Sequence, residues 1–185
     1  MSAARRSSSI SVLALATIVL LAGCGSGDTG GENVCDPYGK DMSALGVARR
    51  PLDTAGARVA EALEANMATF RETGSLRSIP EVRAALVQWS RAAGGYLADA
   101  NGIPMNTAFG NAMVDRIADF TPLAQALVTG IADGTVTTAQ AMARFDDLDQ
   151  ELTAAFNAEL KAKAPPECVR TDPDTGEMGI RASSE

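Results

Sequence analysis

The sequence predicts an all-α protein, an antiparallel up-down four-helix bundle with a kinked third helix. Two observations predict it. Apolar residues recur at helical spacing in four stretches between residues 53 and 160, and short segments containing Gly, Pro or capping residues separate them. No stretch shows the period-two alternation of a half-buried strand. Composition agrees: 46% of the 185 residues are hydrophobic but only 4% are aromatic, and alanine is abundant.

The elements follow in chain order. Residues 35–51, CDPYGKDMSALGVARRP, read as an entry segment with one short helix over 41–49, stopped by Pro51. The first long helix is expected over 53–73, with Asp53 as N-cap, Val59, Leu63, Met67 and Phe70 on its inner face, and Gly74 as its stop. The second starts at Ser78-Ile79-Pro80-Glu81, which has the S-x-x-E form of a capping box with Pro tolerated in the first turn. Its stripe is Val82, Leu86, Trp89, Ala93, Tyr96 and Leu97. Gly94 and Gly95 each cost about 1 kcal/mol in a helix interior, and close approach of a neighbouring helix is the expected return.

The third helix follows NGIP, with Pro104 read as an early helical residue. Phe109, Met113, Ile117, Phe120, Ala124, Leu127 and Ile131 form its stripe, and Gly134 ends it. Pro122 lies inside this stripe. Its missing N–H and its ring predict a kink at Thr121, and the unbroken phase of the stripe favours a kink over a turn. The fourth helix begins at a second capping box, Thr137-Thr138-Ala139-Gln140. Phe145, Leu148, Leu152, Phe156 and Leu160 face inward, Lys161 and Lys163 suit the negative end of the helix dipole, and Pro165-Pro166 ends the run.

The two ends of the chain read differently. Arg5 and Arg6 precede an apolar run from Ile10 to Leu21 that is too short to span about 30 Å of hydrocarbon. The run leads into Leu21-Ala22-Gly23-Cys24. This combination resembles the signal of bacterial exported lipoproteins, and the composition suggests an actinobacterial one. The resemblance covers the first 24 residues. It implies removal of residues 1–23, a diacylglyceryl group on the Cys24 sulfur and acylation (such as palmitate) of the new amino terminus. Three serines follow the Arg pair where a twin-arginine signal has apolar residues, so the general export route is expected. Two or more acyl chains give a stable anchor, at about 0.8 kcal/mol per buried methylene. The implied location is the cell membrane, lipid-anchored on its extracytoplasmic face.

With Cys24 assigned to lipid, Cys35 and Cys168 remain, and two thiols in an exported chain are expected to pair. In an up-down bundle the chain ends that carry them lie close together, so the disulfide closes the expected fold. The domain reading is a signal over 1–23, a lipidated flexible linker over 24–34, a helical bundle over 35–168 and a disordered tail over 169–185. The linker, Gly-rich and polar, has a reach of about 17 Å as a flexible coil.

Without residues 1–23 the chain carries 14 basic and 23 acidic side chains, a charge of −9. No nucleic-acid partner is expected of such a chain. Histidine is absent. That removes Ser-His-Asp and Cys-His mechanisms and the most frequent ligand of zinc, copper and haem. No phosphate-cradling loop and no G-x-S-x-G motif occurs. No catalytic residue, cofactor or metal is therefore expected. The acidic stretch RFDDLDQE, with Asp146, Asp147, Asp149 and Glu151, reads as a solvated helix face rather than a calcium site. Met67, Met105, Met113 and Met142 read as core filling rather than a copper site. Trp89, Tyr96 and Pro122 are the candidate lining of a ligand pocket. The expected role is a non-enzymatic, membrane-anchored module that binds an envelope protein; the alternative is a carrier or sensor of a small apolar ligand held between the helices.

Overall fold

The computed structural model describes residues 33–173 and 178–181, and Cys24 and the leader lie outside them. The described chain is largely helical: α1 (Asp36–Ala65), α2 (Met67–Thr73), α3 (Pro80–Gly102), α4 (Ala108–Asp133) and α5 (Thr138–Lys163), followed by strands β1 (Val169–Thr171) and β2 (Met178–Ile180). Short 3-10 turns at Leu76–Ser78 and Pro166–Cys168 join α2 to α3 and α5 to β1. α3 packs against both α1 and α4, and α4 also packs against α5.

The first correction concerns Pro51. The short entry helix and the helix expected from Asp53 are one 30-residue helix, α1, which runs through Pro51. Pro51 is exposed, and Val47, the residue whose carbonyl it leaves without a donor, is 53% exposed. Water can take that bond, while Leu45, Ala55 and Val59 bury the opposite face on either side of the proline. Asp53 caps nothing; its carboxylate accepts a bond from Arg49 Nε at 2.8 Å, one turn back. The interruption comes later, at Asn66, whose side-chain amide donates to the Ala62 carbonyl at 2.8 Å. Gly74 then ends α2 in the left-handed conformation (φ 63°), as read from the sequence.

The second correction concerns Ser78. Its hydroxyl bonds to the Ser75 carbonyl at 2.7 Å and to the Thr73 hydroxyl at 2.9 Å, so it closes the preceding turn. The N-cap of α3 is Ile79, which makes no side-chain capping bond. Ile79 is 1% exposed, and Pro80 has no N–H to satisfy, so burial rather than a capping box places this start. The capping box at α5 does form: Thr137 Oγ1 accepts from Gln140 N–H, and Gln140 Oε1 accepts from Thr137 N–H. Pro104 precedes α4 rather than joining it, and Thr107 caps the helix by accepting from Gly110 N–H at 2.8 Å. α4 continues through Pro122, which is exposed.

Of the segment read as a disordered tail, residues 169–173 and 178–181 are described, and they contain two short strands. β1 and β2 pair antiparallel, with Val169 opposite Ile180 and Thr171 opposite Met178. Val169, Met178 and Ile180 lie against the core, so the segment borrows an apolar surface that its own composition does not advertise.

Two clusters make up the core. One gathers Val59, Leu63, Leu76, Ile79, Val82, Leu86, Trp89, Val128 and Ile131 at the end where α2 turns into α3. The other gathers Leu45, Tyr96, Phe109, Met113, Ile117 and Leu160. In the second, Phe109 and Phe156 meet edge to face with centroids 5.7 Å apart. The Cys35–Cys168 disulfide lies at this second end, joining residues 133 apart in sequence. Tyr38 adds a bond from its hydroxyl to the Lys163 carbonyl at 3.3 Å.

Candidate functional site

The three residues read as a pocket lining have different surroundings. Trp89 (8% exposed) belongs to the first cluster and Tyr96 (6% exposed) to the second. Pro122 faces solvent. Burial pushes the Tyr96 phenol up to about 12; the nearby Arg49 guanidinium opposes this and Asp53 adds to it. The glycines beside them divide. A Cβ on Gly94 would meet the Gln125 side chain at 3.4 Å, and that side chain donates to the Ser90 carbonyl, whereas Gly95 looks onto open space. Only Gly94 thus serves the helix approach expected of the pair.

The acidic stretch of α5 is a set of local pairs. Arg144 reaches Glu151 at 2.9 Å and Asp147 at 3.6 Å. The Asp149 carboxyl is raised by burial and by Asp146 beside it. Among the described residues no three acidic, cysteine or histidine side chains group as a metal site would require. Met113 is buried in the second cluster and Met67 and Met105 pack against the two clusters.

Among the described residues, a carboxylate with four hydrogen-bond donors escaped the sequence reading. Asp41 is 1% exposed on α1. Its Oδ1 accepts from Asn106 N–H at 2.8 Å and from the Asn106 amide at 2.7 Å. Its Oδ2 accepts from Thr107 N–H at 2.9 Å and from the Thr107 hydroxyl at 2.7 Å. Thr107 Oγ1 in turn caps α4. The carboxylate therefore supports the start of a helix 65 residues away, at the positive end of its dipole. A Cβ on Gly110 would collide with Asp41 Oδ2, so the site needs glycine there. One signal was available: Asp41 lies four residues before Leu45, hence on the inner face of any helix that buries Leu45.

A second polar link ties α4 to α5. Arg116 donates to Glu159 at 2.7 Å, and Lys163 stands 3.5 Å from the other Glu159 oxygen. The Arg116 hydrogen bond, with help from Lys163, holds the Glu159 carboxyl below its ordinary value.

With four donors on its two oxygens and almost no exposed surface, Asp41 clasps α1 to the start of α4. Among the described residues no helix is long and apolar enough to cross a membrane. No protein-family model, curated protein or solved structure matches the chain.

Proposed function

We propose that the protein is an exported lipoprotein, anchored through Cys24 on the extracytoplasmic face of the cell membrane, that acts as a non-enzymatic interaction module of the envelope. The observation that carries this reading is the Cys35–Cys168 disulfide. Such bonds persist in oxidising compartments, and the leader sequence independently points outside the cytoplasm. The lack of histidine supports a binding role over catalysis. The same reading takes α1, α3, α4 and α5 as an antiparallel up-down bundle with a bend in α4 at Pro122. Its linker leaves from the disulfide end, so the opposite end is free to meet a partner.

Intact-mass measurement of the native product tests the anchor. The expected result is a chain that begins at residue 24 and carries added acyl mass. A bare Cys24 with residues 1–23 still attached overturns the reading. In-cell crosslinking of the anchored protein then tests the interaction role: a discrete crosslinked partner supports it, and its absence from intact envelopes argues against it.

A further inference from the structure

The C-terminal hairpin has a job that the tethered-module reading does not require. Cys168 immediately precedes β1 and is fully buried, and Cys35 is 6% exposed. The strand pair is fixed beside Cys168 at both of its ends. Val169, the neighbour of Cys168, pairs with Ile180. The next residue, Arg181, donates its N–H to the Cys168 carbonyl at 2.8 Å. Val169, Met178 and Ile180 press on the cluster that holds Leu45 and Leu160. The other cysteine is held at the start of α1: Cys35 N–H donates to Asn33 Oδ1 at 3.0 Å, and the Cys35 carbonyl accepts from Gly39 N–H.

The geometry points to β1 and β2 as a strap that guards the Cys35–Cys168 disulfide from reductants. Thiol–disulfide exchange needs a thiolate to reach one of the two sulfurs. With both cysteines buried, attack waits for an opening. The smallest opening beside Cys168 is release of the hairpin, since the strand pairing, one backbone bond and three partly buried side chains hold it, while the rest of the core stays closed. A dithiol of the thioredoxin or dithiothreitol class would then attack, form a mixed disulfide, and leave as its own cyclic disulfide. Two electrons pass to the protein, which gains two thiols. The strap thus sets the rate at which such dithiols can separate Cys35 from Cys168.

The test compares the full oxidised chain with Ile180→Asp and Arg181→Pro. The first places a charge in the apolar contact, and the second deletes the N–H that bonds to Cys168. Thiol release by dithiothreitol is followed by alkylation and mass spectrometry at several urea concentrations below the unfolding transition. Emission of Trp89, the single tryptophan, reports the far cluster. The expected result is at least tenfold faster release in both variants, with a urea dependence much shallower than that of global unfolding. Equal rates in parent and variants would overturn the proposal. So would faster release that climbs with urea as steeply as the Trp89 transition, because reduction would then follow global unfolding. If Ile180→Asp does not fold, Arg181→Pro, which leaves every apolar contact of the hairpin in place, decides alone.

Discussion

The two ends of the helical domain are held by different chemistry. At the end where α2 turns into α3, apolar burial does almost everything: Leu76, Ile79, Val82 and Leu86 are each 2% exposed or less, and α3 starts there without a side-chain cap. The polar bonds between elements around this cluster are scattered ones, among them Leu76 N–H to the Thr138 hydroxyl at 3.1 Å, the Ser90 and Thr129 hydroxyls at 2.9 Å, and Gln125 to the Ser90 carbonyl at 2.7 Å. The disulfide end also has an apolar cluster, but adds a covalent bond, a buried carboxylate with four donors, and the Arg116–Glu159 pair. The difference teaches where specificity comes from. Apolar packing tolerates small shifts, whereas four bonds on one carboxylate fix the register of α1 against α4. The start of α1 and the segment after α5 converge on the second end, joined there by the disulfide.

The largest break in this comparison is removal of the disulfide. The bond closes a loop of residues 133 apart, for which the chain-entropy account gives about 5 kcal/mol. Cys35→Ala with Cys168→Ala should lower urea stability by up to that amount. Amide exchange should rise first in the opening turns of α1 and in β1, while α3 keeps its protection. A uniform rise along the whole chain would show that the two ends are not separate units.

Asp41→Ala comes next, at about 3 kcal/mol, because it leaves the buried donors of Thr107, and the two donors of the more exposed Asn106, without their acceptor. Asp41→Asn should recover part of the loss, since one side-chain oxygen still accepts while the new amide meets a donor. Urea unfolding of the two variants measures both. A loss below about 1 kcal/mol for Asp41→Ala would mean that water replaces the carboxylate and that the disulfide end is no better specified than the other.

These two cases show what the sequence discloses. Helical class, the Gly74 and Gly134 stops, the α5 capping box and most of the inner stripe of α3 follow from local patterns, and the structure carries all of them. The pairing of Cys35 with Cys168 follows from counting thiols once Cys24 is set aside. Asp41 does not follow, because its partners are 65 and 66 residues away and no local pattern joins them. Pro51 and Ser78 mislead for a related reason. Each has a strong local preference, and each is overruled by its surroundings: solvent on the open side of α1, and the Thr73–Ser75 turn. The hairpin is invisible because its strands are three residues long and rest on a surface built by distant residues.

Tyr96 sharpens the comparison through pH. It sits in the disulfide-end cluster and its phenol is pushed up to about 12 by burial. An unfolded tyrosine ionises near 10. Below about pH 10 the phenol is neutral in both states and its contribution is fully present. As pH rises toward 12 the unfolded chain ionises first, so stability is lost across that window, by about 2 to 3 kcal/mol at most. The gap in urea stability between the parent and Tyr96→Phe should shift by this amount between pH 9 and 12. An unchanged gap would mean that the phenol is hydrated in the folded protein.

The smallest effect separates the two helix starts. Thr137→Ala removes a hydroxyl that accepts from Gln140 N–H and takes part in a closed capping box, and should cost about 1 kcal/mol. Ser78→Ala removes the residue that the sequence marks as an equivalent cap, yet its hydroxyl only bridges Ser75 and Thr73 at an exposed turn. That change should stay within about 0.5 kcal/mol. Paired urea melts of the two variants measure the contrast. Equal losses would mean that Ser78 caps α3 in solution, and the start of α3 would then rest on hydrogen bonding as the start of α5 does, rather than on the burial of Ile79.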